Sequence, residues 1–161
     1  MQYAVGPAWF QDDGYQANSF AALAEIGIIK LQELGANSEI VCGPISTGGF
    51  GNAKTNFKVF NAAITRLIAE GHKIFNQMPF EGGLGRLRLL WERERDNTGY
   101  CMPILTEFYG PLFETRLITL AHFIPGWESS FGAKWEHDEL QKLGARIQYL
   151  SKEWIAELCI G

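Results

Sequence analysis

No apolar run in this 161-residue chain reaches 18 residues, and its start lacks a basic stretch followed by an apolar one. Neither a membrane-spanning helix nor a secretory leader is therefore expected, and the chain reads as soluble and cytoplasmic, with no membrane partner. Cysteine is scarce. Cys42, Cys101 and Cys159 are odd in number, widely spaced and without a Cys-x-x-Cys pair, which excludes a disulfide framework and points to a reducing compartment. Histidine is equally sparse. His72, His122 and His137 show neither a His-x-x-x-His pair nor a cysteine at ligand spacing, so no metal site is expected.

Positive charge is also short. Fourteen Lys and Arg face eighteen Asp and Glu, a net charge of −4, and neutralising a phosphate backbone needs the opposite surplus. Nucleic acid is thereby excluded as a general partner. Arg86, Arg88, Arg93 and Arg95, with Lys54, leave room for a local basic pocket. Their acidic neighbours Glu92, Glu94 and Asp96 make solvated helix charges the simpler reading.

What is present is a strand–turn–helix grammar. Residues 39–43, "EIVCG", form a short apolar run ending in Gly43-Pro44 and leading into the loop "ISTGGFGNAK". A helix follows with Phe57, Phe60, Ile64, Leu67 and Ile68 on one stripe, closed by Gly71. "HKIFNQ" then restarts an extended segment that Met78-Pro79 ends. The later half repeats this: "RLITLAHFI", Pro125-Gly126, a helix over 131–143 closed by Gly144, the strand "ARIQYL", and a terminal helix capped by Ser151. Helices are expected near 84–96 and 104–116, the latter entered or kinked at Pro111, and another near 18–34. The reading is an α/β chain: a 1–38 N-terminal extension with one helix, then a 39–161 domain with a mainly parallel sheet of about five strands.

In such a sheet, ligands sit at the carboxyl ends of strands, where loops lead into helix N-termini. Two loops qualify. One holds Gly43, Pro44, Ile45 and Ser46; the other is "PGWESSFGA", with Trp127, Ser129, Ser130 and Gly132. Ser130 suits a helix N-cap and equally an anion contact at the helix start, and the two roles can coexist. Trp127 is either a packing residue or the border of a cleft. Glu136 falls on the helical stripe of Ala133, Leu140 and Leu143, where a carboxylate is costly unless paired or open to a cleft. Its alternatives are a cleft-facing carboxylate or an edge residue paired to Lys134 or Arg146. "GGFGNAKT" approaches a phosphate-binding loop, but Ala53 stands where the second glycine is required.

Taken together, "IVCGPISTGGFGNAKTNFKVFNAAITRLIAEGHKIFNQ" and "FIPGWESSFGAKWEHDELQKLGARIQYL" resemble the opening and closing parts of the nucleoside 2-deoxyribosyltransferase-like superfamily, over roughly 39–150. The resemblance implies a flavodoxin-like or Rossmann-like three-layer sandwich. It also implies an N-glycosidase or deoxyribosyltransferase acting on a nucleoside or nucleoside 5′-monophosphate, with no metal and no redox cofactor. On that likeness Glu136 matches the nucleophile and Ser130 the serine that holds a 5′-phosphate, with Gly132 between them. Gly43 and Pro44 match the loop against sugar or base. Relatives often complete their sites across a homodimer. The sequence departs from the pattern at Thr119, where relatives carry an aspartate, leaving Asp96, Glu107, Glu114 and Glu128 as acid candidates. A non-catalytic nucleotide-sensing module is the alternative expectation.

Overall fold

A computed structural model describes residues 14–45, 49, 51–95 and 99–158. The chain divides into two compact units: Met1–Glu33 with Asn76–Thr115, and Leu34–Phe75 with Arg116–Gly161. The helix read from the first 38 residues thus groups with the middle of the chain.

The first unit is helical. Helix α1 (Phe20–Leu34) starts where Ser19 Oγ accepts the Ala22 N–H, and it buries Phe20, Leu23, Ala24, Gly27 and Leu31 along one stripe. Gly27 is required by close packing, since a Cβ there would come within 3.0 Å of a Leu112 methyl. Helix α3 (Glu81–Arg95) begins after a 3₁₀ turn at Met78–Phe80. Arg86 is not a solvated helix charge: its guanidinium donates to the carbonyls of Tyr15 and Ala17. Near Pro111 the expected kink takes the form of a π-turn, Ile104–Tyr109, running into the short helix α4 (Gly110–Glu114). Proline offers no N–H to the carbonyl four residues back, so the turn before it widens. Phe80, Phe108, Tyr109 and Phe113 form an aromatic chain with successive centroids 4.8–6.0 Å apart.

The second unit holds the sheet. Strands β1 (Ser38–Cys42), β2 (Ile118–Phe123) and β3 (Arg146–Tyr149) pair in that order and all in parallel. Helix α2 (Ala53–Ala69) follows β1 and is capped by Asn52, whose side chain accepts the Thr55 N–H at 2.8 Å. Helix α5 (Phe131–Lys142) joins β2 to β3, and α6 (Lys152–Leu158) closes the unit from a Ser151 cap. Arg66 ties α2 to α6 by pairing with Glu157 at 2.9 Å and lying over the Trp154 ring.

Three strands and six α-helices among the described residues overturn the expectation of a roughly five-stranded sheet in a three-layer sandwich. The clearest shortfall is at 72–77, read as a strand. It yields a single bridge, Ile74 opposite Glu39, made by Glu39 N–H to Lys73 O and Phe75 N–H to Glu39 O. Asn76 Oδ1 then accepts the Met78 N–H, and the turn carrying Pro79 begins, so the pairing has no length in which to grow.

Candidate functional site

Both loops singled out in the sequence leave neighbouring parallel strands at their carboxyl ends, and they meet. Gly43 is buried against β2's exit: a Cβ there would lie 2.9 Å from Ile124 Cβ. Gly49 adopts φ 60°, and its N–H donates to Ser129 Oγ at 2.8 Å across 80 residues of sequence. Ser129 Oγ in turn donates to Gly126 O at 2.7 Å. Gly126 itself sits at φ 90°, where a side chain is strained, and it lies close to Gly49. Pro44 is buried and Ile45 half-buried, whereas Ser46 lies outside the described residues.

Ser130 is the N-cap of α5, accepting the Ala133 N–H at 3.2 Å, and it is buried together with Gly132. Six residues on, Glu136 is 7% exposed. It lies against Cys42, the last residue of β1, and accepts a hydrogen bond from the thiol. Burial pushes the Cys42 thiol well up, and the adjacent Glu136 charge and hydrogen bond add to the shift. The thiol therefore stays protonated at neutral pH and remains a donor. Lys134 and Arg146, the edge partners considered for Glu136, are both exposed.

Trp127 joins an aromatic stack. Its indole lies 4.3 Å from the His137 ring at 14°, His137 stacks on Tyr149, and His137 Nε2 is 2.7 Å from the Tyr149 hydroxyl. Phe123 closes the cluster edge-on. Of the acid candidates, Glu128 is exposed on the 3₁₀ turn Trp127–Ser129. Glu107 and Glu114 belong to the other unit, and Asp96 is outside the described residues.

A second constellation was not read from sequence. His72 Nδ1 and His122 Nε2 both address one oxygen of Glu39, at 2.9 and 2.6 Å. Burial alone would raise the Glu39 carboxyl. The hydrogen bonds from His122 and His72 outweigh it and hold Glu39 below the usual range. Burial lowers His122, and Glu39 offsets this only in part. No local signal announced the group, because its partners stand 33 and 83 residues from Glu39.

No family model, curated protein or solved structure matches the chain. Among the described residues, no helix is long and apolar enough to cross a membrane.

Proposed function

We propose that the chain is an N-glycosidase or deoxyribosyltransferase for a nucleoside or nucleoside 5′-monophosphate, with Glu136 as nucleophile. One observation carries this reading: a buried carboxylate on α5 lies beside the carboxyl end of β1, one residue from Gly43. A carboxylate taken out of water there must be held by donors around it, and the Cys42 thiol is one of them.

In the proposed reaction a Glu136 oxygen attacks the anomeric carbon and the bond to the base breaks. The base leaves with the electron pair and takes up a proton, and a glycosyl ester remains for water or a second base to resolve. The Cys42 thiol fixes the carboxylate's direction. The backbone from Gly43 onward and the Ser129–Ser130 turn border the sugar or phosphate. No metal is needed for this displacement.

The second reading is a nucleotide-sensing module without turnover. It is favoured by Thr119 in β2, where an acid is wanted, and by the exposure of Glu128. Incubation with a panel of nucleosides and deoxynucleoside monophosphates, scored for free base, separates the two. The enzyme releases base, and Glu136→Gln slows release by roughly 10³-fold or more. Binding without release assigns the sensing role.

A further inference from the structure

We infer that Glu39, His72 and His122 form a binding site for a divalent transition-metal ion of the zinc class. Two imidazole nitrogens and a carboxylate oxygen, all within 4.8 Å of one another, make up a two-nitrogen, one-oxygen donor set. That set is used by three-ligand sites that leave a fourth position to water or substrate.

Three features argue for a binding site over an incidental cluster. The donors are held by backbone. Glu39 lies in β1 and His122 in β2, the central strand, while His72 is pinned by its N–H to Leu67 O and by the bridge at Lys73 and Phe75. Such anchoring preorganises ligands. The cluster is also graded in exposure: the His122 side chain is 3% exposed, Glu39 17% and His72 36%, so one side opens to water. Finally, both rings aim at a single carboxylate oxygen, concentrating two donors where one cation would sit. Metal–ligand bonds near 2.1 Å set ligands about 3.4 Å apart, so Glu39 must draw back from both rings while the two ring nitrogens, within 4.8 Å of each other, close towards the ion. Side-chain torsions of Glu39 and of the more exposed His72 supply that movement.

Binding carries a specific cost. With metal on Nε2, the His122 proton passes to Nδ1, which is buried and has no hydrogen-bond partner among the described residues. Leaving that ring N–H without an acceptor weakens such sites about 10–100-fold, so moderate affinity is expected. Alternation along β1 sets Glu39 and Cys42 on opposite faces, which separates this site from Glu136. Base release and metal binding are therefore independent outcomes.

The test titrates the metal-depleted full chain with zinc chloride, followed by calorimetry and by long-range ¹H–¹⁵N spectra of the histidine rings. The expected result is one equivalent bound, with His122 Nε2 and His72 Nδ1 shifting while His137 stays in place. Glu39→Gln and His72→Ala should each weaken binding by about 100-fold. The spectra read the site without any substitution, so a poorly folding variant does not remove the test. Absence of saturable binding, or a shift at His137 in place of the other two rings, overturns the inference.

Discussion

Glu39 and Glu136 are carboxylates placed in opposite company. Glu39 rises from a strand into two imidazoles that donate to it and hold it ionised. Glu136 drops from a helix onto a thiol whose own ionisation burial suppresses. The first is well compensated, so the fold gains from keeping it charged. The second is more deeply buried, and the Cys42 thiol that donates to it is a weak donor. The contrast teaches that burial alone does not set how a carboxylate behaves; the donors around it do.

Truncation is the sharpest way to break the comparison. Glu39→Ala leaves the buried His122 ring without its acceptor and should destabilise the protein by about 3 kcal/mol in denaturant unfolding. Glu136→Ala removes a carboxylate that accepts from the Cys42 thiol and should cost less, about 1–2 kcal/mol. Equal losses would make Glu136 a structural residue and remove the support for its chemical role.

A third carboxylate tests what burial does with little compensation. Burial raises Glu81, at the start of α3, from 4.5 to about 7, and Arg88 offsets the rise only in part. Its folded form holds a proton that the unfolded chain has already released, so stability should fall as pH rises from 4.5 to 7 and then level off. Partial exposure keeps the effect to about 1–2 kcal/mol. Glu81→Gln should flatten that slope in pH-dependent thermal unfolding; a slope of the opposite sign would show that Arg88 dominates.

The smallest expected effect is at the loops beside Glu136. Ser129→Ala removes the acceptor of the Gly49 N–H at an exposed site and should cost about 0.5–1 kcal/mol. If base release is observed, the same variant should reduce it by loosening the border of the site. A variant with intact turnover would detach this turn from the chemistry.

Much of this contrast was legible beforehand, but unevenly. The 3.6-residue stripe through Ala133, Glu136 and Leu140 announced a buried glutamate, because helix faces are written in neighbouring residues. Gly43-Pro44 and Pro125-Gly126 marked strand exits for the same reason. The sheet's extent was not legible: residues 72–77 have strand composition, yet the length of their pairing depends on Glu39 and on where Pro79 turns the chain. The Glu39 cluster was hidden outright. Parallel pairing joins strands far apart in sequence, so no window along the chain contains all three of its members.

Gly43 and Gly49 bear on how the two loops move. With the first pressed on Ile124 and the second fastened to Ser129, the two strand exits are cinched at both ends of one loop. The two exits are therefore mechanically coupled: loosening the Gly49–Ser129 hydrogen bond slackens both loops at once.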